Sequence, residues 1–221
     1  MRHCGVVWCG AVLWQKTKTY IMFAKNTNLL IYIIPILFAF AVSSQANAQD
    51  FAVKTNVLGD AMGSLNIGIE GRLAEKWTVD LTGHLDPWTR KDGELWRHAF
   101  LQPEARWWFC DSFSGHFLGL HAHGGIFNVG GVDTDMKFLN NDFSILSDSR
   151  YQGWFAGAGV AYGYDLIIGS HWNLEFEIGA GYAYTRYDQF ECDVCGSILS
   201  EDLTHHYFGI TKAAISLVFL F

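Results

Sequence analysis

Past its first fifty residues the chain has no apolar run approaching the roughly 18 residues of a transmembrane helix, although half of its 221 residues are hydrophobic. Apolar and polar residues alternate instead, which is the period of a strand with unlike faces. Basic residues are scarce, 15 against 22 acidic. Four of them (Arg2, Lys16, Lys18 and Lys25) lie in the N-terminal region, so without that region 11 face 22 and the net charge is −11. So acidic a surface argues against nucleic acid as a partner. A catalytic signature motif is also missing, and no polar tail follows Leu220-Phe221.

The N-terminal region reads as a targeting segment. Leu29–Val42 is apolar, Lys25 precedes it, and Ala46-Asn47-Ala48 follows as a small-x-small cleavage pattern. This predicts a secretory signal peptide cut between Ala48 and Gln49, an uncut membrane anchor being the other reading. No cysteine stands at the cut, which argues against a lipoprotein anchor. Residues before Met22 fit no part of a signal peptide, so Met22 is the expected true start, and Cys4 and Cys9 drop out of the mature protein. Residues 1–48 are thus extension and signal, and residues 49–221 form one domain.

That domain is organised around its last stretch. Read backwards in steps of two from Phe221, it runs Phe219, Leu217, Ile215 and Ala213, with Lys212, Ala214 and Ser216 on the other face. Chain ends are usually solvated. An apolar end makes sense where the strand closes a barrel in lipid, which tolerates no open edge. The stretch also resembles the C-terminal targeting signal of bacterial outer-membrane barrels. Eight strands are expected, at 51–58, 64–73, 77–85, 97–109, 115–127, 151–164, 172–187 and 205–221. Pro103 lies inside the fourth and predicts a bulge or local irregularity there.

Connections after the second, fourth and sixth strands are short, and the others are mostly long, as between the two ends of an outer-membrane barrel. Both termini then fall on the periplasmic side. No charge falls mid-strand on an apolar face, whereas Lys54, Glu70, Asp80, Glu104, Arg106, Glu175, Glu177 and Lys212 fall on the opposite one. Trp77, Trp107, Phe109, Trp172 and Phe221 adjoin the short turns; Trp88, Trp96, Trp154, Tyr184 and Tyr187 lie near the loops, giving two aromatic girdles. The fold expected is all-β: an eight-stranded antiparallel transmembrane β-barrel of outer-membrane type. A soluble eight-stranded barrel is the alternative, but it buries its apolar face inside.

Eight strands enclose an interior about filled by side chains, so the eight charged residues are expected to form a neutralising plug and not a conducting pore. Function, if not structural, then sits in the outer loops. Cys192 and Cys195 form a C-x-x-C in the last loop, shortly before His205-His206. A disulfide, a zinc site and reduced thiols are its three readings, the disulfide being the first expectation. Cys110, in a turn at the opposite end, is expected to stay a lone thiol. His121 and His123 with Glu104 are a weak metal candidate, satisfied interior histidines being the plainer reading. His84 with Asp86, and His205 with Ser200, are the residues an enzyme would use, and neither makes a recognisable triad.

Several segments look familiar together: Lys54-Thr55-Asn56, Trp77–Leu81, Gln102–Phe109, Gly115–His121, Tyr151–Gly157 and Thr211–Leu217. They resemble an uncharacterised family, a domain of unknown function, of small outer-membrane proteins from Bacteroidetes-type bacteria. The resemblance spans essentially the whole domain. It implies an outer-membrane barrel, with members often associated with fimbria-like surface gene clusters, and it supplies no catalytic residues. The long N-terminal extension is the one departure. Expected partners are outer-membrane lipid, the barrel-assembly machinery, and surface-appendage or envelope proteins; no cofactor is expected. The first expectation for the Gram-negative cell envelope is a structural or surface-interaction barrel. A lipid- or peptide-modifying outer-membrane enzyme is the second.

Overall fold

The computed structural model describes residues 50–88, 95–130, 137–138, 141–142, 149–191 and 197–221. The expected signal peptide and the Cys192/Cys195 pair lie outside them. Eight long strands run antiparallel: β1 (Phe51–Asn56), β2 (Leu65–Ala74), β3 (Trp77–Asp86), β4 (Leu95–Trp108), β5 (Gly115–Gly130), β8 (Arg150–Ile167), β9 (Trp172–Phe190) and β10 (Ile198–Leu220). Two-residue strands β6 (Lys137–Phe138) and β7 (Asn141–Asp142) pair with each other between β5 and β8. Each long strand pairs with its sequence neighbours, and β1 pairs with β10 to close the ring. No helix among the described residues is long and apolar enough to cross a membrane.

The strands form because their residues alternate, and the ring puts the two sets on opposite sides. Ile67, Leu101, Leu120, Val160 and Ile178 point outward and are each more than half exposed, while the residues between them are covered. The inside is layered. At the end with the short turns, Trp108, Phe113 and Phe117 pack with Ala52, Val218 and Leu220 into an apolar plug. Charged side chains fill the middle. A cavity of about 100 Å³ lies beyond them toward the long connections, with Asn66, Thr82, His84, Phe100, Gln102 and Thr211 in its wall.

Several boundaries differ from the sequence expectation. β1 stops at Asn56, not at residue 58, because the Asn56 side chain accepts the Leu58 N–H and caps a short helix, α1 (Val57–Ala61). β10 begins at Ile198, not at 205: its first residues have no apolar face to betray them, yet they pair with β9. At Pro103 the expectation is met as a local irregularity and not as a bulge. Register is unbroken toward β3, and toward β5 the ladder lapses only at Gln102 and Pro103, resuming unshifted at Glu104. Register shifts occur elsewhere, one of them between Ile210 and Lys212. This one switches the phase of β10, so that Phe208 and Ile210 before it and Ala213 after it all stay outward.

Candidate functional site

Arg106 is the hub of the interior. It sits on β4, 1 % exposed, and all three guanidinium nitrogens donate to carboxylates. Nε reaches Glu104 at 2.7 Å, Nη1 reaches Glu70 at 2.7 Å and Glu175 at 2.6 Å, and Nη2 reaches Glu175 at 3.1 Å and Glu177 at 2.8 Å. Its planar fork suits several carboxylates at once, which an ammonium does not. The guanidinium also lies 4.5 Å from the centre of the Phe117 ring, a cation–π contact.

The two lysines flank this hub. Lys54 Nζ on β1 meets Glu70 at 2.7 Å, Asp80 at 3.1 Å and Glu175 at 3.5 Å. Lys212 Nζ on β10 meets Glu104 at 2.6 Å and Glu177 at 3.0 Å. All eight charged residues singled out on the inward faces therefore belong to one connected network. Hydroxyls extend it: Trp108 Nε1 donates to Thr78, Thr78 donates to Glu70, and Thr82 donates to Asp80. Room for these long side chains comes from glycine. A Cβ at Gly119 would lie 2.5 Å from Glu104 Oε1, and one at Gly68 2.8 Å from Lys54 Cγ.

His121 and His123 both point inward, with ring centres 5.7 Å apart. His121 Nε2 lies 2.9 Å from the Thr211 hydroxyl and Nδ1 3.8 Å from Glu104 Oε2. The Glu104 carboxylate already holds Arg106 and Lys212, so it is no open ligand for the histidines. Among the described residues no three His, Cys, Asp or Glu side chains are grouped to hold a metal ion. Cys110 is a free, exposed thiol.

Of the residues considered for catalysis, His84 stacks on Phe100 at 4.3 Å. Ser200 pairs with Gln189 and His205 with Thr185, positions apart on β10. Sequence reasoning missed a different contact: Ser64 Oγ lies 3.1 Å from His98 Nε2. The two are 34 residues apart, and only the β2–β3–β4 register unites them. Asp86, buried, is the cross-strand partner of His98 on β3. Asp165 was also misplaced, in a turn after the sixth expected strand. It lies within β8, inward and 2 % exposed. The signal was present, since Gly157, Gly159, Ala161, Gly163 and Asp165 continue one inward set of small residues.

These features define a class: a closed ring of eight antiparallel strands, apolar outside and filled with a buried ion network. The family model described as "Protein of unknown function (DUF3575)" matches residues 34–221, and the chain belongs to that family. The match begins at Ile34, inside the apolar segment expected to be removed. No curated protein matches the chain.

Proposed function

We propose that the protein is a transmembrane β-barrel of the outer membrane of Bacteroidetes-type Gram-negative bacteria, delivered by a cleaved signal peptide, with both termini periplasmic. Its role is structural or surface-interacting, exercised through the long connections at one end. The observation that carries this reading is the inversion of polarity: six charged side chains no more than 4 % exposed lie inside (Lys54, Glu70, Asp80, Glu104, Arg106 and Glu175), while Leu, Ile and Val cover the outside. A soluble barrel does the reverse. From Trp77 to Leu85 the outward face of β3 runs roughly 27 Å along the strand, or about 20 Å of height at the usual barrel tilt, close to the apolar band of such proteins. Trp77, Trp107, Phe109, Trp172 and Phe221, all exposed, ring the short-turn end, where amphipathic aromatics favour the lipid–water boundary.

The filled interior supports a scaffold and not a pore. Surface-appendage or envelope proteins are the proposed partners of the loops, with outer-membrane lipid and the barrel-assembly machinery as the general ones. Fractionation of producing cells, followed by gel mobility of boiled and unboiled samples, tests the reading. A heat-dependent mobility shift in the membrane fraction is expected. Protein in the soluble periplasmic extract, with no shift, sinks it.

The Ser64–His98 contact favours a second reading, an outer-membrane enzyme acting on lipid or peptide. A serine hydroxyl at 3.1 Å from an imidazole nitrogen is placed to be activated as a nucleophile. Labelling by a fluorophosphonate probe, lost in Ser64→Ala and in His98→Ala, would raise this reading above the scaffold. No labelling of the folded chain would remove it.

A further inference from the structure

Below the level of Asp86, from the ion network to the short-turn end, the interior holds more carboxylates than cations. Lys54, Arg106 and Lys212 stand against Glu70, Asp80, Glu104, Asp165, Glu175 and Glu177, none of them more than 9 % exposed. Five of the six carboxylates touch a lysine or the arginine. Asp165 touches neither, and both of its oxygens are buried without a hydrogen-bond partner. An ionised carboxylate buried in that state is strongly disfavoured, so the group must either hold a proton or meet a positive charge.

A second orphan lies beside it. Asn173 is fully buried, and its Nδ2 donates to the Phe113 carbonyl at 2.9 Å. That bond fixes the amide and turns Oδ1 the other way, where it has no partner. Asp165 pairs with Glu175 across β8 and β9, and Asn173 is the next inward residue along β9. The two side chains are therefore diagonal neighbours, about 7–8 Å apart at the backbone. Reaching toward each other, they can share one ion at the roughly 2.3–2.6 Å of calcium–oxygen bonds. Gly115, the cross-strand partner of Asp165 on β5, puts no side chain beside it.

We propose that Asp165 and Asn173 bind a hard divalent cation, Ca²⁺, at the short-turn end of the barrel, with water completing its shell. The donor set is oxygen alone, one carboxylate and one amide, which suits calcium and not zinc or copper. The ion would offset the excess negative charge of this part of the interior and tie β8 and β9 to the Phe113 turn. The inference does not depend on the barrel lying in lipid, and its failure leaves the membrane reading untouched.

The test uses the full chain folded in detergent, with Tb³⁺ as the probe. Trp108, whose ring is 6.0 Å from that of Phe113, serves as the sensitiser. Trp-excited Tb³⁺ emission that Ca²⁺ displaces is expected. Asp165→Asn, which keeps the shape and removes the charge, should abolish that component; Asn173→Leu should weaken affinity by at least about tenfold. Emission unchanged in Asp165→Asn would assign the ion to surface carboxylates and overturn the site. So would an infrared carboxylic-acid band, absent in Asp165→Asn, that persists at saturating Ca²⁺, because the carboxyl would then hold a proton.

Discussion

Replacing Arg106 by methionine is expected to cost about 4 kcal/mol of folding stability, the middle of the range for removing one partner of a buried ion pair. The magnitude follows from what the guanidinium holds. It makes five hydrogen bonds of 3.1 Å or less to Glu70, Glu104, Glu175 and Glu177. Methionine fills much of the volume, so the loss is charge and hydrogen bonding more than packing. Four carboxylates would remain near one another with only Lys54 and Lys212 to offset them. Arg106→Lys, which keeps the charge but loses the fork, should fall between wild type and methionine. Denaturant titration of the detergent-folded protein, read by the fraction resisting the gel-mobility shift, gives the stabilities. Adding Glu175→Gln to Arg106→Met should recover part of the loss, a coupling of about 0.5–3 kcal/mol for groups in one network. A methionine variant within about 1 kcal/mol of wild type would refute the reasoning, for it would mean that the network is solvated and not buried.

Three further outcomes follow from the same structure. Leu120→Arg, on the outward face of β5 and 64 % exposed, should cost about 2–4 kcal/mol in a bilayer; an exposed position on a soluble protein would change by about 0.5 kcal/mol or less. Unfolding in lipid vesicles separates the two. Gly119→Ala drives a methyl to 2.5 Å from Glu104 Oε1 and should destabilise by about 1–3 kcal/mol through overpacking, measured by the same titration; a neutral result would show the Glu104 side chain free to move. In planar bilayers the wild type should show no steady porin-type conductance, because Arg106 and its partners block the middle; large open channels would contradict the packed interior.

The interior network gives the ring a role for its polar side chains that requires neither a ligand nor a reaction. Buried carboxylates and cations cost heavily when exposed singly to an apolar environment, and only their mutual contacts offset that. Such a plug holds the shape of the closed ring from within. The Ser64–His98 pair and the Asp165–Asn173 orphans lie at opposite ends of this plug, near the long connections and the short turns respectively.

Period-two alternation was enough to place eight strands and to sort their charged residues onto one face, because a pleated strand sends successive side chains to opposite sides whatever its neighbours are. Lys54, Glu70, Asp80, Glu104, Arg106, Glu175, Glu177 and Lys212 were legible for that reason alone. Alternation is local, however, and carries no information about which strand lies beside which. Closure of β1 onto β10, the convergence of four glutamates on Arg106, and the meeting of Ser64 with His98 came from register. The early part of β10 was hidden because residues with water on both sides show no polarity difference. Asp165 was lost because a charged residue beyond a run of glycines looks like a turn until its strand is seen to continue. The phase shift at Ile210 and Lys212 was readable in principle, but only pairing with β9 shows that one residue is left over. Faces are a property of each strand; contacts across the interior are a property of the closed ring.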